Sequence, residues 1–191
     1  MNHLLLQKTI KLLQQGGIIA YPTEAVFGLG CDPLNEAAVH KILTIKNRSI
    51  KKGLILIAAD FHQLQPYLAE LPAELFDRVM QTWPGPTTWL LPVNINAPAY
   101  LRGKHSLQAV RVSNHPVVRE ICNAFGSAIV STSANLSNRP PARTALQVRL
   151  HFQNQIDLII NQKTGKQREP CEIKNALTNT VVRQGDSGEK Q

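Results

Sequence analysis

Leu5, Leu6, Ile10 and Leu13 recur three or four residues apart, and Gly16-Gly17 follows as a stop, so the spacing predicts a helix over residues 4 to 15. The period then changes. Residues 18 to 21 read as a short buried strand, and the polar, glycine-bearing PTEAVFGLG as a loop leading to a second helix that Asn35 can cap, running to about Lys46. The continuous apolar run LILIAA, from Leu54 to Ala59, suits a central strand covered on both faces. Asp60 can cap a helix over 61 to 68, and Pro72 can start another that WPGP ends at Trp83. Strands are expected over 88 to 93, 108 to 112, 128 to 131, 157 to 160 and 180 to 183. Helices are expected from Asn114-Pro116 to Gly126 and from a Thr144 cap to about Phe152.

Helical and strand periods alternate with no repeat, long linker or low-complexity block, which predicts one α/β domain over residues 4 to 185. Some connections are too short for crossover helices, so the twisted open sheet should be mixed. Residues 186 to 191 are expected to fray.

Composition narrows the class. A chain of 191 residues is long enough for one real core without disulfide staples. Cys31, Cys122 and Cys171 are odd in number, widely spaced and lack a C-x-x-C pair, which fits a reducing cytoplasm and gives no zinc signature. Three consecutive leucines near the N-terminus make neither a signal segment nor a membrane span. Lysine and arginine number 21 against 13 carboxylates, a formal charge of +8 that favours anionic partners such as nucleotides, phosphate or RNA. Lys46, Arg48, Lys51 and Lys52 crowd into KNRSIKK, which could equally be a solvated surface run.

Common signatures are missing: there is no G-x-S-x-G, H-E-x-x-H, P-loop or GxGxxG, no metal-ligand cluster, and the six histidines are scattered. What remains are five polar segments placed mostly beside strand ends, where open α/β sheets hold ligands. They are PTEAVFGLG, KNRSIKKG, WPGPTT, AVRV with Arg111 inside it, and STSAN. Each alone has an ordinary reading as turn, loop or ion pair. Together they suit a polyphosphate beside a small amino acid. Lysine and arginine meet phosphate oxygens, small hydroxyls and amides approach closely, and an arginine on a strand can clamp a carboxylate with two parallel hydrogen bonds.

Six ordered segments give the chain a specific likeness: AYPTEAVFGLGCDP, K-x-R with KGLILIAA, WPGPTT, AVRVSNHP, STSANLS and VVRQG. On them the chain resembles the YrdC-like family of threonylcarbamoyl-AMP synthases, most closely its short bacterial TsaC form. The resemblance implies a twisted open sheet with a large, basic concave cavity. It also implies the reaction of L-threonine, bicarbonate and ATP to L-threonylcarbamoyladenylate and pyrophosphate, which supplies threonylcarbamoyladenosine modification of tRNA. By the same likeness Lys46 and Arg48 would contact ATP phosphates and carry catalysis. Lys52, Ser131, Ser133, Asn135 and Arg183 would join them at ATP, and Thr23, Thr88 and Arg111 would hold threonine. Magnesium would accompany ATP, and proteins of tRNA modification would take the product. Ser49 stands where the family often has proline, and NQKTGKQREPCEIKNA, with Cys171, departs from its usual glycine-rich stretch.

Two rival readings share these residues. A basic hollow could bind double-stranded RNA or tRNA without catalysis, though three tyrosines and two tryptophans offer little for base stacking. A carbamoyltransfer domain of the hydrogenase-maturation type resembles the same unit, but such proteins carry acylphosphatase and zinc-finger domains for which this chain has neither length nor cysteines.

Overall fold

The computed structural model describes residues 1–136, 139–167 and 171–183. Within them the strands are β1 (Ile19–Pro22), β2 (Phe27–Gly30), β3 (Ile55–Ala58), β4 (Thr88–Pro92), β5 (Leu107–Val112), β6 (Ile129–Ser133), β7 (Leu158–Ile159), β8 (Ile173–Asn175) and β9 (Thr180–Arg183). The helices are α1 (His3–Gln14), α2 (Glu36–Ile45), α3 (Ala73–Met80), α4 (Ala99–Arg102), α5 (Pro116–Phe125) and α6 (Ala145–Phe152). The strands form one sheet in the order β7-β1-β2-β6-β3-β5-β4-β8-β9. It is mixed: β3 runs parallel to β5 and antiparallel to β6, and β4 runs antiparallel to β5 and parallel to β8.

Expected caps form where hydroxyl and amide side chains stand at helix starts. Asn35 Oδ1 accepts from Ala38 N at 3.0 Å and Thr144 Oγ1 from Gln147 N at 3.2 Å, each worth about 1 kcal/mol to its helix. Gly126 ends α5 in the left-handed region at φ 80°. LILIAA is indeed central, with Leu56, Ile57 and Ala58 fully buried.

α4 has no counterpart among the expected elements, and three others depart from expectation. PTEAVFGLG is half strand: Phe27–Gly30 pairs antiparallel with β1, because Thr23 N donates to Val26 O at 3.0 Å and turns the chain back. The helix expected over 61 to 68 shrinks to a single tight turn at Gln65–Tyr67. Asp60 Oδ1 does accept from Gln63 N at 3.2 Å, but Pro66 has no N–H to continue the ladder. A third strand of the C-terminal segment, β8, lies in the stretch expected to be irregular, pairing with both β4 and β9. Residues 186 to 191, and the last two of the expected domain, lie outside the described residues.

Strand periodicity divides the side chains between two faces. On one face Phe27, Leu56, Val110, Val112 and Val130 pack with α2, α3 and α6 into the larger core cluster. On the other, Ile19, Tyr21, Ile57 and Ile129 pack under Leu13 of α1 and Val117, Val118 and Ile121 of α5. These two helices cover only part of that second face. Ile55, Leu107, Ala109 and Ser131, which alternate onto the same face, are left as the floor of a hollow.

Candidate active site

That hollow measures about 620 Å³. Its floor is Ile55, Leu90, Leu107, Ala109 and Ser131, and its rim carries Arg48, Lys52, Arg102, Lys104 and Arg183; no Asp or Glu is among the described residues lining it. A smaller recess of about 60 Å³ adjoins it, lined by Thr23, Thr88, Arg111 and Cys171. Ile55, Ser131, Thr132, Ser133 and Arg183 line both. The two volumes differ about tenfold in size and share a common wall.

The recess is built around Arg111, which β5 carries two residues beyond Ala109 on the same face. Only 6% exposed, its guanidinium lies 3.3 Å from Glu24 Oε2 and touches the Cys171 thiol. Burial works against charge on Glu24. The Arg111 cation, the Ser113 hydroxyl donating at 2.6 Å and the Asn114 N–H at 3.1 Å outweigh it and hold the carboxyl below its usual range. Burial pushes the Cys171 thiol up, against the pull of Arg111. Thr23 Oγ1 is committed to Val26 O at 2.7 Å, whereas Thr88 Oγ1, in a residue 1% exposed, has no hydrogen-bond partner. A buried hydroxyl left unpaired beside an arginine is a ready contact for a polar substrate.

The sequence-nominated residues do converge, but not all as lining. Arg48, Lys52, Ser131, Ser133 and Arg183 face the large hollow, and Thr23, Thr88 and Arg111 the small one. Lys46 and Asn135 are not among the lining residues. The Lys46 ammonium lies beneath the STSAN turn, donating to Ser133 O, to Asn135 O at 2.7 Å and to Asn135 Oδ1 at 3.1 Å. Asn135 Oδ1 also accepts from Ser133 Oγ at 2.7 Å, and its Nδ2 donates to Arg139 O at 2.7 Å. Lys46 thus shapes the turn that presents Ser133. Burial, then the neighbouring Arg48, push its pKa down to about 7. Burial and Arg183 lower that of Arg48 as well, whose Nη2 donates to Gly53 O at 3.0 Å.

Glu24, Arg102 and Lys104 are not among the residues nominated from the sequence, and Cys171 is marked there only as part of the departing stretch. Glu24 sat inside a motif already marked, next to Thr23, and an acidic residue among apolar neighbours was the available signal. Arg102 and Lys104 flank Gly103 just before AVRV, a short basic turn no motif search isolates.

The Sua5/YciO/YrdC family model, described as "Telomere recombination", matches residues 11–185. A threonylcarbamoyl-AMP synthase of Vibrio vulnificus is 50% identical over 182 residues, covering 94% of this chain and 98% of that protein. One of Nitrosococcus oceani is 52% identical over 173 residues, covering 91% and 94%. Among solved structures, P. abyssi Sua5 complexed with L-threonine superposes with a TM-score of 0.90 at 29% identity, covering 97% of this chain, which spans 55% of that longer one. E. coli YciO, at 24% identity and a TM-score of 0.86 over 97% of this chain and 91% of its own, shares the fold. The chain belongs to the Sua5/YciO/YrdC family.

Proposed function

We propose that the chain joins L-threonine, bicarbonate and ATP into L-threonylcarbamoyladenylate and pyrophosphate, as an enzyme of the nucleotidyltransferase type. Relatives of about half identity carry that name, which favours this reading over a non-catalytic RNA-binding module. The observation that carries it is the pair of adjoining hollows, one small with a buried arginine and one large with a cationic rim, sharing Ser131, Thr132, Ser133 and Arg183.

In this reading the threonine carboxylate takes Arg111, with the Thr88 hydroxyl and Thr23 beside it. The amine attacks the carbon supplied by bicarbonate, loses a proton and becomes a carbamate, with water released. A carbamate oxygen then attacks the α-phosphorus of ATP at the common wall, and the bond to the β-phosphate breaks to release pyrophosphate. No protein nucleophile enters, so rate comes from alignment and from cations facing developing phosphate charge. Arg48 and Arg183 face that charge directly, with Lys52 nearby, and Lys46 acts from beneath by fixing Ser133 and Asn135. A carbamate is labile in water, so a recess covered by protein protects it.

Magnesium bound to the triphosphate would neutralise charge on the leaving group. The described lining offers it the hydroxyls of Ser131, Thr132 and Ser133 and, among the described residues, no carboxylate, a donor set that fits an ion held mainly by phosphate oxygens and water. Among the described residues no helix is long and apolar enough to cross a membrane. Three free thiols accord with a cytoplasmic setting, where tRNA-modification proteins would receive the product. Incubation with ATP, magnesium, threonine and labelled bicarbonate, followed by mass analysis, should reveal the labelled mixed anhydride; pyrophosphate release without it would defeat the assignment.

A further inference from the structure

The basic turn at Arg102–His105 is joined to the KNRSIKKG turn through backbone hydrogen bonds. Leu54 N donates to Leu101 O at 2.7 Å and Lys104 N to Lys51 O at 3.2 Å. Gly53 and Gly103 both sit at φ 62°. A Cβ on Gly53 would lie 2.7 Å from Arg102 O, and one on Gly103 would lie 2.5 Å from Ile50 O and 2.7 Å from Lys51 O. Only glycine permits this approach, and it brings two cationic segments, far apart in sequence, to one rim.

The arginines of the two turns are held alike. Arg48 Nη2 donates to Gly53 O and Arg102 Nη1 to His105 O, each at 3.0 Å, while the Nε of each is buried without a hydrogen-bond partner. A guanidinium oriented by one backbone carbonyl is positioned to offer its remaining Nη donors to an anion in the hollow.

Position along the sheet then says which anion. On β5 the residues Leu107, Ala109 and Arg111 share a face, and at about 3.3 Å per residue the Arg102–His105 turn lies at least about 13 Å from Arg111. A carboxylate on Arg111, followed by a carbamate and three phosphates laid end to end, covers about that length. The α-phosphorus belongs at the common wall, so the far turn meets the distal phosphates.

We propose that Arg102 and Lys104 form a polyphosphate subsite that binds the β- and γ-phosphates of ATP and holds pyrophosphate after the bond breaks. This rests on the synthase reading for which end of the nucleotide faces Arg111. Calorimetric titration of the whole chain with inorganic pyrophosphate, tripolyphosphate and AMP, at one fixed ionic strength, tests it. Lys104→Ala, at an exposed position, should weaken pyrophosphate and tripolyphosphate about tenfold while leaving AMP and threonine within twofold. Lys104→Glu should weaken them further, and Arg102→Lys, which keeps charge but loses the fork, should fall between wild type and Lys104→Glu. Equal weakening of AMP would place the adenosine end at this turn, and unchanged pyrophosphate binding in Lys104→Glu would remove the subsite; either overturns the proposal. The two readings separate cleanly. A wild type that makes no mixed anhydride yet binds pyrophosphate through Lys104 rejects the synthase assignment alone, and one that makes it while Lys104→Glu binds pyrophosphate normally rejects the subsite alone.

Discussion

A guanidinium buried to 6% exposure needs an anion, and Arg111 has one in Glu24. That pair leaves the face towards Cys171 for a substrate carboxylate, which would displace a thiol and not a carboxylate. Arg111→Lys keeps the charge and loses the two-pronged geometry. It should raise the threonine KM at least about tenfold and leave the ATP KM within about twofold, read from pyrophosphate release; an unchanged threonine KM refutes the clamp. Lys46 makes a different test. With its pKa pushed from 10.5 down to about 7, the unfolded chain holds a proton above pH 7 that the folded chain has released. The penalty is full below pH 7 and diminishes as pH rises, so wild type should gain stability relative to Lys46→Met between pH 7 and 9. A flat difference in urea midpoints across that range would contradict it. At this scale the sequence made residue types legible but not their depth. Lys46 and Arg48 are two residues apart and read as a matched pair. A helix ending at Ile45 with Asn47 at φ 48° turns one beneath the STSAN turn and the other onto the rim. Glu24 stood out as an acidic residue inside a marked motif, but its role was hidden because it depends on Arg111 and Ser113, nearly ninety residues on.

Among elements, helices with a polar cap and an apolar stripe were readable because their signals are local: α1, α2, α5 and α6 appear within a residue or two of expectation. β2 and β8 were not. FGLG carries two glycines and two of the three residues of IKN are polar, and both are strands only because β1, β6, β4 and β9 supply partners. The paired turns that fix the cationic rim were likewise hidden, since each glycine reads as an ordinary break until the two are seen back to back. Gly103→Ala should cost about 1 to 3 kcal/mol through its left-handed backbone and the clash with Ile50 O and Lys51 O. It should also weaken ATP binding in the protein that does fold, both measured against wild type by denaturant titration and calorimetry. Full stability in that variant would mean that the two turns are not rigidly joined.

The molecule as a whole is a sheet whose second face is only partly roofed. α1 and α5 close over Ile19, Tyr21, Ile57 and Ile129, and the uncovered remainder is the site. Strand alternation foretold two faces, but nothing in a single sequence says where a helix will fail to cover one. A cationic rim with no carboxylate among its described residues should make ATP affinity fall as salt rises, whereas threonine, placed on the buried Arg111 by the proposed reading, should respond little. Parallel salt dependences would refute that division. If the recess takes threonine as proposed, it would separate it from serine by one methyl, worth about 1 to 3 kcal/mol, so serine should be used with a kcat/KM roughly 10 to 200 times lower. Complete rejection of serine would require a recognition element beyond those described.

Because Ser131, Thr132, Ser133 and Arg183 belong to both hollows, the proposed reaction would form its carbamate already within reach of the nucleotide. The species has no journey to make, so its short half-life in bulk solvent sets no ceiling on yield. Leakage is governed instead by whether ATP is in place when the carbon–nitrogen bond forms.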